Sequence, residues 1–152
     1  MRRGTLYLIP VPLGVIPAVE SLPAAVCAQA AGLRYFIAEN AKSARAFLKS
    51  LPSRIPLQDI SISELNEHTS PAVWHEWLAP LLAGSDVGLI SEAGCPAVAD
   101  PGAELVALAQ AQGIRVVPLI GPSSILLALM ASGLGGQHFA FHGYLPAKED
   151  AR

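Results

Sequence analysis

Charge is scarce in this sequence: Asp, Glu, Lys and Arg make up 14% of the residues, against 52% hydrophobic. So apolar a chain is not disordered, and a formal net charge of −2 gives no global attraction to nucleic acid or to an anionic membrane. Any contact with nucleic acid has to use a local patch. Cysteine is nearly absent as well. Cys27 and Cys95 lie far apart, with no CxxC and no metal-type spacing, which argues against zinc and against a disulfide framework and fits the cytoplasm. The sequence contains no GxSxG, HExxH, Walker loop or GxGxxG. Cys95 has no histidine tied to it and is read as a small loop thiol rather than a nucleophile. His68, His75, His138 and His142 show no metal spacing, so no metal is expected.

Uninterrupted apolar runs are also few. Pro10, Pro12 and Pro17 break the segment after Met1-Arg2-Arg3, which argues against a signal peptide. The uncharged stretch from Val116 to Gly136 is long enough to cross a bilayer, but Pro118, Gly121-Pro122 and Ser123-Ser124 divide it into a strand and a helix. No membrane span is expected.

What the chain does have is a run from Asp86 to Gly102, DVGLISEAGCPAVADPG, around which the rest is organised. Val87, Leu89 and Ile90 suit a strand buried on both faces, and the prolines and glycines beyond Ser91 cannot continue it. Asp100 suits a helix N-cap, Pro101 the first helical position, and Glu104 the first turn. This is either an ordinary strand-to-helix connection or a ligand-binding turn at the carboxyl end of a parallel strand.

In chain order, Leu6 to Val11 reads as a first strand closed by Pro10, Pro12 and Gly14, and Leu22 to Ala31 as a helix ended by Gly32. Tyr35 to Ala38 is a second strand running into Glu39 and Asn40. In the helix from Ala41 to Leu51, Lys42, Arg45 and Lys49 line the side opposite an apolar stripe, either as solvated surface or as a phosphate contact. Pro56 to Ile62 alternates weakly as a third strand. A helix from Ser70 to Leu82 carries Trp74 and Trp77 at helical spacing, as core rather than a base-stacking platform. After the central strand come a helix from Ala103, a fifth strand from Ile114 to Ile120, and a helix opened by Pro122 or Ser123 whose apolar residues run nearly all round, so that burial is expected. Phe139 to Leu145 reads as a further strand.

The expected fold is α/β, with a mainly parallel five-stranded sheet flanked by helices over residues 1–136, and residues 137–152 opening a second α/β domain that is otherwise absent. Loops at the ends of parallel strands share one rim. Pro10 to Gly14, Glu39 to Lys42, Ser91 to Gly102 and Gly121 to Ser124 would together enclose a flat amphipathic small molecule.

The segments TLYLIPVPLG, AEN, DVGLISEAGCPAVADPG, IRVVPLIGPSS and FAFHGYLP resemble, in the same order, segments of the tetrapyrrole methylase superfamily, and most nearly its branch that methylates a cytidine ribose 2′-oxygen in small-subunit ribosomal RNA. The resemblance implies two α/β domains with S-adenosylmethionine between them, a homodimer and an RNA substrate. It places the cofactor loops on Pro10, Pro12, Leu13 and Gly14, on Ser91, Glu92, Ala93, Gly94 and Pro96, on Asp100 and Gly102, and on Gly121, Pro122 and Ser123. Glu39, Glu92 and His68 are the candidates for a general base. The chain departs from the family pattern at Glu92, where an aspartate is usual, at Cys95, where a threonine is usual, and in AENAK, where AEDTR is usual. Asn66-Glu67-His68 matches the family's His/Glu/Asn-rich segment only in part. The alternative is a non-catalytic ligand-binding module, or a fragment lacking half of its active site.

Overall fold

The computed structural model describes residues 2–53, 55–66 and 68–144. Five strands form one sheet: β1 (Thr5–Ile9), β2 (Tyr35–Ala38), β3 (Ser61–Glu64), β4 (Val87–Ile90) and β5 (Arg115–Pro118). Their order is β3-β2-β4-β1-β5 and every pairing is parallel. Ile90 lies in register with Ile9 on one side and with Ala38 on the other, so β1, β2 and β4 end together. A parallel sheet needs cover on both faces, and α1 (Ala18–Ser21), α2 (Ala24–Ala31), α3 (Ala41–Ser50), α4 (Trp74–Leu82) and α5 (Ala103–Ala111) provide it.

Side chains alternate between two cores with the period of a strand. Phe36 and Ala38 pack with Val26 and Ala30 of α2 and Leu48 of α3, whereas Ile37 packs with Leu78 and Leu81 of α4 and Leu105 of α5. The central strand β4 is buried at every position. Gly88 is required there: a Cβ would lie 2.6 Å from Ile9 Cδ1 and 2.8 Å from Phe36 Cδ1.

The helices joining β1 to β2 and β2 to β3 lie on the first core, and those joining β3 to β4 and β4 to β5 on the second. The connections that leave the neighbouring strands β1 and β4 therefore turn to opposite faces. Such a divergence opens a crevice at the carboxyl ends of the strands, where open α/β sheets take their ligands.

Several expectations are corrected. The third strand is Ser61–Glu64, because Leu57–Asp59 form a 3-10 turn ahead of it. The helix expected from Leu22 begins after Pro23, as α2, and a separate short helix, α1, precedes it over Ala18–Ser21. Asp100 does not cap α5; Gly102 does, with φ at 125°. Helix α6 (Ser124–Ser132) contains no buried residue, and Leu126, Leu127 and Met130 stand 52%, 49% and 77% exposed. Residues 139–144 form no strand among the described residues, since a strand exists only against a neighbour; Leu145 lies outside the described residues. The uncharged stretch after Val116 divides into β5 and α6 as expected, and among the described residues no helix is long and apolar enough to cross a membrane.

Candidate functional site

The crevice floor is where the β1 and β4 loops meet. Val11 and Gly94 exchange backbone hydrogen bonds of 3.0 and 3.1 Å, an isolated antiparallel bridge beyond the parallel ladder. Gly94 adopts φ of 70° to make the turn. Ser91 is buried just ahead of it, with the carbonyls of Ala93 and Gly94 at 3.2 and 3.4 Å from its hydroxyl. The third loop is tied in by Cys95, whose thiol donates to the Pro122 carbonyl at 3.4 Å. Gly121 lies against the Pro10 ring so closely that a Cβ there would fall 2.2 Å from Pro10 Cγ. Ser123 caps α6 by accepting from the Leu126 N–H at 3.5 Å. The β1, β4 and β5 loops thus form one continuous wall.

Acids gather at its β2 end. The Glu92 backbone N–H donates to Glu39 Oε2 at 3.3 Å, and the Ser43 hydroxyl donates to Glu92 Oε1 at 2.7 Å. One strand further out, Glu64 Oε2 accepts from the Ala41 N–H at 3.4 Å. Burial raises the Glu39 carboxyl above its ordinary range; the Glu92 N–H offsets part of this, while repulsion from Asp100 and Glu92 adds to it. Burial likewise raises Asp100, partly offset by the Ser91 hydroxyl and reinforced by Glu92. The Cys95 thiol is pushed up by burial and then by Asp100, which makes it a poor nucleophile and agrees with its reading as a small loop thiol. Among the described residues no cluster of His, Cys, Asp and Glu suits a metal ion.

Of the three candidate bases, Glu39 and Glu92 are thus held together. His68 lies in the turn after β3, its backbone N–H donating to Asn66 Oδ1 at 3.0 Å. Strands β3 and β4 are two strand spacings apart, so this turn is roughly 10 Å across the rim from Glu92. Glu67 is outside the described residues. Asn40 caps α3, its Oδ1 accepting from the N–H groups of Lys42 and Ser43 at 2.9 and 3.1 Å. An aspartate would do the same, so the departure from an acid at this position leaves the helix start intact.

Some features had no signal in the sequence. Ala97 and Ala99 adopt positive φ, 64° and 59°, although alanine has no special tolerance for that region. Nothing at sequence level pairs Ser43 with Glu92, 49 positions apart. Beside that pair lies a cavity of about 380 Å³, between the loop after β1 and helix α3, with Ile16, Phe47 and Ile90 among its mostly apolar walls and Ser43, Ser50, Ser91 and Glu92 as its polar lining. A second recess, with Gly94, Asp100 and Ser123 among its lining residues, holds only about 20 Å³.

The sequence matches curated proteins over its whole length. It is 34% identical over 152 residues to ribosomal RNA small subunit methyltransferase I of Pseudomonas aeruginosa, covering all of this chain and 51% of that protein. The protein of the same name from Escherichia coli O157:H7 is 34% identical over 150 residues, 99% of this chain and 50% of that one. The Mesorhizobium japonicum protein, also of that name, reaches 48% over 87 residues, 57% of this chain and 30% of that one. The chain belongs to this methyltransferase family. It spans about half the length of the curated relatives it matches. No protein-family model matches it. The parallel α/β domain is consistent with an N-terminal domain of the tetrapyrrole methylase kind.

Proposed function

We propose that this chain is the N-terminal domain of an S-adenosylmethionine-dependent methyltransferase that acts on the ribose 2′-oxygen of small-subunit ribosomal RNA. The observation that carries this is the divergence of the β1 and β4 loops at the crevice, with Glu39, Glu92 and Asp100 on its rim, in a chain related to proteins named as rRNA methyltransferases. In this reading a C-terminal domain begins near residue 137, and the enzyme works as a homodimer.

The residues fit the cofactor. Gly94, Gly102 and Gly121 let the loops pack closely, Gly94 against Leu13 and Pro122, Gly102 against Leu89 and Gly121 against Pro10; Asp100 offers acceptors to an ammonium group and to ribose hydroxyls, and Leu13 and Val98 are exposed apolar surface on the same loops. The recess at Gly94 and Ser123 is too small to enclose a molecule of that size, so these loops make one wall, the other coming from the second domain. When bound, S-adenosylmethionine supplies an electrophilic methyl group on a sulfonium centre. The protein's task is to align the acceptor and exclude water. Glu39, whose carboxyl burial raises above its ordinary range and which is held against Glu92, is the first candidate to take the hydroxyl proton, with Glu92 beside it; His68 on the neighbouring turn is the third. Pro10, Pro12 and Gly14 shape the β1 loop, Ala93 and Pro96 the β4 loop, and Pro122 the turn into α6.

The test uses the protein expressed from the full reading frame that contains this chain. Calorimetry with S-adenosylhomocysteine and a labelled-methyl assay on unmethylated small ribosomal subunits are expected to give binding and RNA labelling at a ribose. Absence of binding would leave a non-catalytic module; binding with no labelling of RNA would overturn the substrate.

A further inference from the structure

Helix α3 carries three different faces. At about 100° per residue, Ala44 and Leu48 point into the first core, Ser43, Ala46, Phe47 and Ser50 line the cavity of about 380 Å³, and Lys42, Arg45 and Lys49 occupy the remaining side, next to Ala46 and away from the core. All three cations are exposed. A cavity large enough for a nucleoside, mostly apolar in its walls, therefore adjoins a strip of positive charge on a protein whose net charge is −2. Two of its polar lining residues, Ser91 and Glu92, also belong to the rim of the crevice.

From this arrangement we infer that the cavity beside α3 receives the acceptor nucleotide, unstacked from a single-stranded RNA segment, while the flanking phosphates lie along Lys42, Arg45 and Lys49. This assignment rests on the methyltransferase function proposed above and adds the division of its site: acceptor in the cavity beside α3, methyl donor at the loops around Gly94 and Ser123. The chemistry matches on three counts. A base has apolar faces that pack against Phe47 and Ile16. A ribose has hydroxyl donors that suit the Glu92 carboxylate, already oriented by Ser43. A phosphodiester backbone needs cations spaced along a line, which positions 42, 45 and 49 supply.

The test measures binding of a fluorescently labelled single-stranded RNA 12-mer to this chain and to three variants, alongside thermal melting and calorimetry with S-adenosylhomocysteine on the protein from the full reading frame. Ala46→Trp and Ser50→Tyr put bulk into the cavity from exposed helix positions, so both are expected to fold with unchanged melting. Each is expected to weaken RNA binding by about tenfold or more, the worth of one stacked base, and to leave S-adenosylhomocysteine binding unchanged. Arg45→Gln with Lys49→Gln is expected to lower the slope of log affinity against log salt by about 0.7 for each phosphate no longer neutralised. Undiminished RNA binding by both cavity variants overturns the assignment. So does loss of S-adenosylhomocysteine binding with RNA binding intact, which would make the cavity the donor's. If RNA binding responds as expected but no S-adenosylhomocysteine is bound, the nucleotide pocket stands and the methyltransferase function falls.

Discussion

The backbone N–H of Glu92 donates to the Glu39 carboxylate, 3.3 Å away, so that two acids from the ends of neighbouring strands are held against each other. With Asp100 close enough to repel both, this corner of the rim carries more negative charge than its partial burial favours.

Glu39→Gln keeps an acceptor for the Glu92 N–H and removes the repulsion. Because burial and neighbouring acids raise the folded-state pKa of Glu39, the native protein binds this proton more tightly than the unfolded chain does. Its charge therefore costs nothing below the ordinary carboxylate pKa and costs most above the raised one. The variant is expected to be more stable than the parent at pH 7, by up to about 1 kcal/mol after solvent screening. The gain should vanish below about pH 4. Denaturant unfolding at both pH values checks this, and an equal gain at both would contradict it. In the protein from the full reading frame the same variant is expected to lose methyl transfer by about 100-fold or more if Glu39 is the base.

Asn40→Ala removes the cap of α3 and is expected to cost about 1 kcal/mol, whereas Asn40→Asp is expected to cost little, since either side chain accepts from the same two N–H groups. Chemical denaturation of both variants reads the difference; equal losses would show that the cap is not what the position provides.

Gly121→Ala drives a methyl group into the Pro10 ring, which cannot rotate aside. The turn must shift, at a cost of about 1–3 kcal/mol. The wall formed by the β1 and β5 loops should open with it, so weaker S-adenosylhomocysteine binding is expected together with the lower melting temperature. Gly88→Ala is expected to cost a similar amount by overpacking Ile9 and Phe36, without touching the crevice loops.

Leu127→Glu with Met130→Glu changes two exposed apolar positions on α6. In this chain alone the change is expected to leave unfolding free energy within about 0.5 kcal/mol. In the protein from the full reading frame it is expected to impair folding or assembly if a second domain or subunit covers α6. Gel filtration and melting of both forms decide it.

Much of the sheet was legible because strand signals are local. In Tyr35 to Ala38 and Val87 to Ile90 the β-branched and aromatic runs end in residues that cannot extend them, and the observed strands have those limits. Pro56 to Ile62 misled because its alternation is weak and Pro56 starts a 3-10 turn instead. Asp100 has the chemistry of a cap, but the chain reaches Gly102 in a conformation that only glycine adopts easily, and α5 begins there.

Sequence by itself determined the parallel α/β class and the four rim loops, because each depends on residues adjacent in the chain. Tertiary structure decided what those loops do to one another. The divergence of the β1 and β4 connections, the hydrogen bond from Ser43 to Glu92 and the cavity under α3 all follow from strand order, which no local pattern encodes. The exposure of α6 is the plainest case. An apolar helix states in its sequence that it needs cover, but only the folded neighbours decide whether this chain supplies it, and among the described residues they do not.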